Sequence, residues 1–201
     1  MSTGTRGYPD LHEHIEKLDQ AGLLLKVDEP VNKDTELVPL VRLQFRGLAE
    51  NERKAFWFKN VTDARERVFD ASVIIGSIGC SRTVYGAALG VGPDDIGAKW
   101  ASVHGHHLKP EEIESADAPV KQIVVTAPDL GTGIDRFPHL VSTPGFDPAP
   151  YLTAGVWVTR DPETGACNLG IYRGMIKADD RIGVATDTST QHLAIMWEKA
   201  R

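Results

Sequence analysis

The run Asn168-Leu-Gly-Ile-Tyr-Arg173 and the later pair Gln191-His192 hold the groups in this chain best suited to chemistry. As bare sequence, the first run is a strand returning from a turn at Asp161-Pro-Glu-Thr-Gly165, whose late glycine suits a positive φ. Gly170 weakens a strand and marks a bulge or a close approach of a ligand to the backbone. Arg173 ends an otherwise apolar run and calls for a carboxylate or phosphate partner. The plainer alternative is an edge strand with a surface arginine. Strict alternation puts Asn168 and Arg173 on opposite faces, so a site using both requires a bulge or a ligand across the strand end. Gln191-His192 opens a helix. A helix N-terminus attracts anions through its unpaired N–H groups, and a neutral imidazole there can ligate a metal that bridges to phosphate.

Other chemical signatures are missing. The chain has no GxGxxG, GxxxxGK[ST] or GxSxG motif. His104-Gly-His106-His107 lacks a cysteine or carboxylate at a supporting spacing and reads as a solvated helix end. His12 and His14 read as the exposed face of a first helix. Cys80 and Cys167 are not in a CxxC pair and read as reduced thiols of a cytoplasmic protein. The net charge is −6, with no basic run, which argues against sequence-independent nucleic-acid binding. Arg42/Arg46 and Arg65/Arg67 read as solvated faces. No stretch approaches the roughly 18 apolar residues of a membrane span, and the N-terminus has no apolar signal region.

The elements that must carry these groups follow from periodicity. Asp10 caps a helix with Glu13 in the first turn; Leu11, Ile15 and Leu18 form its apolar face, and Gly22 stops it. Residues 23–27 predict a strand and 35–50 a helix with Leu37, Leu40, Val41 and Leu48 on one side. Residues 55–58 and 69–78 predict strands, the second one buried. Helices follow at 83–89 and from Asp94-Asp95, with Ile96, Trp100 and Val103 facing inward. Residues 108–119 form a polar boundary with a short helix at 111–115. Beyond it come a strand at 120–126, a Pro- and Gly-rich loop at 127–150, and strands at 151–160, 167–177 and 182–185. A last helix presents Leu193, Met196 and Trp197 as its buried face. The fold class is α+β: an α/β domain over 1–118, then antiparallel β structure over 119–201 that starts a barrel or sandwich. The last helix ends without a Gly or Pro stop, and the chain is expected to be cut from something longer.

Four segments together resemble the UbiD family of decarboxylases that use prenylated FMN. They are Pro150-Tyr-Leu-Thr-Ala-Gly155, Val158-Thr-Arg-Asp-Pro-Glu-Thr-Gly165, Asn168-Leu-Gly-Ile-Tyr-Arg173 and Gln191-His192. Asp10-Leu-His-Glu-His-Ile, Gly22-Leu-Leu-Leu-Lys-Val and Glu29-Pro-Val fit as well, so the resemblance covers nearly the whole chain. It implies that 1–118 is an N-terminal α/β domain and 119–201 the incomplete first part of a split β-barrel that binds the flavin. The rest of that barrel and a C-terminal oligomerisation domain have no counterpart.

The resemblance also implies a cofactor and roles. Prenylated FMN would be held through Mn²⁺, or a similar divalent ion, and K⁺ at its phosphate. Asn168 and His192 would be two ligands of the divalent ion, with a glutamate beyond residue 201 as the third. Asn168, Leu169, Gly170, Ile171, Tyr172, Arg173 and Gln191, with His192, would line the cofactor. Arg173 matches the arginine of a Glu-Arg-Glu constellation; it would hold the substrate carboxylate and orient a glutamate that delivers the proton replacing CO₂. The implied activity is reversible, non-oxidative decarboxylation of an aromatic, heteroaromatic or α,β-unsaturated carboxylic acid. A flavin prenyltransferase would supply the cofactor, the full-length protein would be a homo-oligomer, and this chain alone would be inactive. The alternative is a non-catalytic binding or assembly subunit of a multi-subunit UbiD-like carboxylase. A split-barrel flavin reductase is a weaker third reading.

Overall fold

A computed structural model of the chain describes residues 10–106, 112–126, 133–186 and 188–201. The elements are α1 (Leu11–Gln20), β1 (Leu24–Asn32), α2 (Leu37–Gly47), β2 (Ala55–Thr62), β3 (Val68–Phe69), β4 (Val73–Ile75), α3 (Arg82–Leu89), α4 (Ile96–Val103), β5 (Tyr151–Leu152), β6 (Val156–Arg160), β7 (Cys167–Ile171), β8 (Gly174–Ala178), β9 (Arg181–Val184) and α5 (His192–Ala200). Helices and antiparallel strands share the chain, which is the mixed α and β class expected from the sequence. Two compact units interleave along it: Met1–Pro30, Leu40–Asn60 and Ser72–Leu130 in one, Val31–Pro39, Val61–Ala71 and Gly131–Arg201 in the other.

In the first unit, the Asp10 carboxylate accepts the Glu13 N–H at 3.0 Å and starts α1. Gly22, at φ 68°, ends the helix and lets the Leu23 N–H reach the Leu18 carbonyl at 2.8 Å. Leu18, Leu24, Ala55, Cys80 and Val84 form the core, flanked by Ile15, Leu23, Trp57, Ile74 and Ala87. In the sheet, Phe56, Trp57 and Phe58 of β2 face Ile75, Ile74 and Val73 of β4. Ser81 caps α3 through the Val84 N–H at 3.2 Å. Cys80 is buried and free; burial pushes its thiol above the ordinary range.

Several sequence expectations are corrected in this unit. His14 is 1% exposed, with Nε2 2.6 Å from the Ser77 carbonyl oxygen, whereas Leu11 is 51% exposed. The inner face of α1 runs through His14 and Leu18, one helical turn apart, so His14 is a core histidine. Trp100 and Val103 face outward; the Trp100 indole N–H donates to the Tyr85 hydroxyl at 2.9 Å and is satisfied at the surface. Residues 120–126 form no strand: a 3₁₀ turn spans Pro119–Lys121 and Val120 is 83% exposed. An apolar run without a ladder partner has nothing to hold it extended. Glu112–Glu114 is irregular, while Glu111 and His107 lie outside the described residues. The single strand expected at 69–78 is two, β3 and β4.

In the second unit, Val61 and Thr62 of β2 pair with Phe69 and Val68 of β3. The loop between them is closed by Arg67. Its Nε lies 2.6 Å from Asp63 and its Nη1 lies 2.7 Å from Asp135. Arg67 is thus a half-buried bridge rather than part of a solvated face. Asp63 also accepts the N–H groups of Arg65 and Arg67 at 2.9 and 3.0 Å. Burial pushes the Asp63 carboxyl up, but the bonds from Arg67 and the two backbone donors outweigh it, so the carboxyl lies below its ordinary 3.8. The stabilisation is therefore complete above pH 3.8 and is lost as pH falls through the depressed value. Asp63→Asn is expected to cost about 1–3 kcal/mol near neutral pH and to flatten the acid limb of the stability curve. Denaturant melts of both proteins between neutral and strongly acidic pH check this; parallel acid limbs contradict it.

The rest of this unit holds two open sheets, β5-β8-β9 and the β6–β7 hairpin, and no closed barrel among the described residues. The strands expected at 151–160 and 167–177 each divide because their halves join different sheets. Tyr151 pairs with Met175 in one sheet, and Val156 with Ile171 in the other. The inner face of α5 is centred on Ala194, which is 5% exposed, whereas Trp197 is 59% exposed. Of the expected Leu193-Met196-Trp197 face, Leu193 and Met196 are half-buried and only Trp197 turns outward, while α5 lies against β6 and β7.

Candidate functional site

The β6–β7 hairpin sorts its side chains strictly. Val156 faces Ile171, Trp157 Gly170, Val158 Leu169, Thr159 Asn168 and Arg160 Cys167. Alternation puts Trp157, Thr159, Asn168 and Gly170 on one half-buried face. Val156, Val158, Leu169 and Ile171 stand on the other, exposed face.

Helix α5 is tied to the hairpin at both ends. At its start, the Tyr172 hydroxyl accepts the Leu193 N–H at 3.2 Å, and Tyr172 is itself fixed by its carbonyl, which takes the Trp157 indole N–H at 2.8 Å. At its end, the Lys199 ammonium lies 2.7 Å from Asp161 and 2.9 Å from Glu163 in the hairpin turn. The Lys199 bond holds the Asp161 carboxyl below the usual range, helped by the Glu163 N–H, and Asp161 in turn raises Lys199. These tethers set His192, the first residue of α5, above the hairpin face. Its Nδ1 lies 2.7 Å from the Asn168 Oδ1.

That pair borders a hollow of about 390 Å³, lined by Asp161, Ala166, Cys167, Asn168, His192, Ile195 and Met196. A larger hollow of about 450 Å³ elsewhere in the unit has Lys33, Asp34, Asp63, Arg67 and Asp135 among its lining residues; there Lys33 pairs with Asp34, and Arg67 with Asp63 and Asp135.

The sequence-derived candidates divide into two groups. Asn168 and His192 touch, and Gly170, Tyr172 and Gln191 lie on the same hairpin face or at the adjoining helix start. Leu169 and Ile171 point away on the exposed face. Arg173 follows the end of β7, so alternation does not govern it; it is exposed, with its guanidinium 5.1 Å from the Tyr151 ring centroid. The close approach read at Gly170 comes from within the chain: an added Cβ would fall on the Tyr172 ring, 2.8 Å from Cζ and 2.9 Å from the hydroxyl. Sequence reasoning missed Thr159, Trp157 and the Lys199 tether. The strand register reveals the first two, and the ion pairs of Lys199 with Asp161 and Glu163 reveal the third.

The donor set suits a fairly hard divalent ion. An octahedral ion with bonds of about 2.1 Å has neighbouring ligand atoms about 3 Å apart, close to the Asn168–His192 separation. Amide oxygen and imidazole nitrogen are both neutral, so such an ion would keep its charge and favour an anionic co-ligand such as phosphate. Gln191 Oε1 and Thr159 Oγ1 are buried beside this pair without a hydrogen-bond partner among the described residues, an arrangement that favours a further polar group at the site. No cluster of three or more His, Cys, Asp and Glu occurs among the described residues.

Comparisons with known proteins agree along most of the chain. Residues 111–201 match the family described as UbiD, the 3-octaprenyl-4-hydroxybenzoate carboxy-lyase Rift-related domain, and residues 15–103 match UbiD_N, the N-terminal domain of the same carboxy-lyases. Anhydromevalonate phosphate decarboxylase of Methanothermobacter thermautotrophicus is 53% identical over 54 residues, 27% of this chain and 12% of that protein. An uncharacterized protein of Aquifex aeolicus is 25% identical over 199 residues, 88% of this chain and 38% of its own. Among solved structures, an evolved dimeric form of HmfF from Pelotomaculum thermopropionicum in complex with prFMN superposes with a TM-score of 0.80 at 23% identity, covering 96% of this chain and 41% of that one. Vanillic acid decarboxylase of Sedimentibacter hydroxybenzoicus in its open form gives 0.77 at 24% identity, covering 96% and 39%. The chain therefore spans well under half the length of these relatives, and the structural likeness is one of fold. No helix among the described residues is long and apolar enough to cross a membrane.

Proposed function

This chain belongs to the UbiD family, and from that premise we propose that it supplies the metal-and-phosphate side of a prenylated-FMN decarboxylase site. The observation that carries this reading is the 2.7 Å approach of Asn168 Oδ1 to His192 Nδ1, held by a helix tethered at both ends. The two atoms serve a divalent cation, Mn²⁺ or a similar ion, that anchors the flavin phosphate, with K⁺ alongside. The buried Gln191 Oε1, without a hydrogen-bond partner among the described residues, supports a polar group of the cofactor lying beside the start of α5. HmfF was solved with prFMN and with FMN, which supports a flavin here.

When bound, prenylated FMN supplies the electron sink for the charge left by departing CO₂. The chain's own residues bind and orient. His192 and Asn168 fix the position of the phosphate end. Gly170 leaves room for Tyr172, which sets the height of α5. Arg173 is a permanently charged group on the exposed strand end, suited to hold a substrate carboxylate in two bonds. The substrate class is an aromatic, heteroaromatic or α,β-unsaturated carboxylic acid, decarboxylated reversibly and without oxidation. The proton that replaces CO₂ would come from a glutamate, and none of the site residues named here is one, so the chain alone is proposed to bind without turning over. The setting is cytoplasmic, with a flavin prenyltransferase as supplier and a homo-oligomer as the longer protein's state.

Co-expression with a flavin prenyltransferase in medium containing Mn²⁺ tests this. The purified chain is expected to keep a flavin absorption band through desalting, and His192→Ala to lose it. A colourless wild-type protein contradicts the reading, as does CO₂ release by the rigorously purified chain for its inactive part.

A further inference from the structure

We propose that Thr159 is a positioning residue for Asn168: its hydroxyl accepts the Asn168 NH₂ group and so turns Oδ1 toward the cation. The inference rests on the cation reading of Asn168 and His192 above. Thr159 faces Asn168 directly across β6–β7, and side chains opposed in this way have Cβ atoms about 4.5–5.5 Å apart. A carboxamide is nearly symmetric in shape, so packing alone does not decide which end meets an ion. The wrong end would aim two N–H donors at a positive charge. What decides it is a neighbour that accepts from the nitrogen.

Thr159 Oγ1 is buried and has no hydrogen-bond partner among the described residues, while Asn168 Oδ1 is engaged by His192. A buried hydroxyl left unbonded costs stability. Valine has the same shape without that cost and suits a strand at least as well. A local rule broken beside a candidate site points to a role for the group that breaks it. Once an ion draws Oδ1 toward it, the amide nitrogen is left facing the opposite strand, where Thr159 stands. The hydroxyl then gains its bond only in the ion-bound state.

The test uses the 201-residue chain and Mn²⁺ alone, followed by paramagnetic broadening of histidine ring protons. His139, whose Nε2 sits 2.9 Å from the Ile134 carbonyl, serves as the internal reference. Wild type is expected to lose the His192 signals first. Thr159→Val is expected to need at least ~10-fold more Mn²⁺, and Thr159→Ser to titrate within about 2-fold of wild type because it keeps the acceptor. Thr159→Val is also expected to melt at or above the wild-type temperature, because it removes an unbonded buried hydroxyl. A Thr159→Val protein that titrates like wild type overturns the role of Thr159 and leaves the cation reading standing. Weaker binding accompanied by a lower melting temperature overturns it too, as the mark of a merely structural residue. If wild-type His192 is not broadened selectively, the cation reading falls and this inference with it.

Discussion

Gly170→Ala is expected to pull the start of α5 away from the hairpin and to destabilise the second unit. The added methyl lands on the Tyr172 ring, 2.8 Å from Cζ, and β7 cannot yield because Gly170 is locked opposite Trp157. The ring must swing out, and its hydroxyl then leaves the Leu193 N–H at the first turn of α5. Overpacking of this kind costs about 1–3 kcal/mol, and loss of a helix N-terminal acceptor adds about 1 kcal/mol. Hydrogen exchange gives the specific readout: the Leu193 amide should lose protection while amides of α1, in the other unit, keep theirs. Unchanged protection at Leu193 together with unchanged stability would show that Gly170 is not there to seat Tyr172.

Asn168→Ala and His192→Ala are each expected to remove divalent-cation binding outright, and the double variant to look no worse than either single one. One ion held by two protein atoms makes the two deletions strongly non-additive. Stability should barely move, by about 0.5–1.5 kcal/mol at most, because the Asn168–His192 contact is at the exposed rim of the hairpin. Binding and stability therefore separate at these two positions, opposite to the outcome at Gly170. Free Mn²⁺ measured by electron paramagnetic resonance during protein titration reports the first quantity, and denaturant melts the second. Additive, partial losses at the two sites would instead describe two independent weak contacts.

What could be read from the sequence depended on how local the determining interaction is. The Asp10 cap and the Gly22 stop are set by residues within one turn, and the structure has them. His14 was legible only as a polar residue, yet its spacing to Leu18 made it as inward as any leucine on α1. The strands at 151–160 and 167–177 looked continuous because both halves of each are apolar. Their breaks come from a change of sheet, which is a property of partners far along the chain. The Asp63–Arg67–Asp135 bridge hid in a loop that reads as solvated charge, since its third member is 68 residues away.

The candidate site shows the same division. Asn168 and His192 stand out by residue type and by resemblance, but their meeting depends on the Tyr172 and Lys199 tethers that fix α5 on the hairpin. Thr159 carries no motif at all. It becomes visible only as the residue opposite Asn168 with an unbonded hydroxyl. Arg173, which alternation placed across the strand from Asn168, escapes that rule because β7 stops at Ile171.

Anomalous diffraction at the manganese edge, from crystals of the chain grown with Mn²⁺ and FMN, reaches the core of the account most directly. A single strong peak within bonding distance of both the Asn168 side-chain oxygen and a His192 ring nitrogen, next to phosphate density, is the expected result. A peak lying elsewhere, or a map in which His192 still hydrogen-bonds Asn168 with no ion between them and the phosphate, would contradict it.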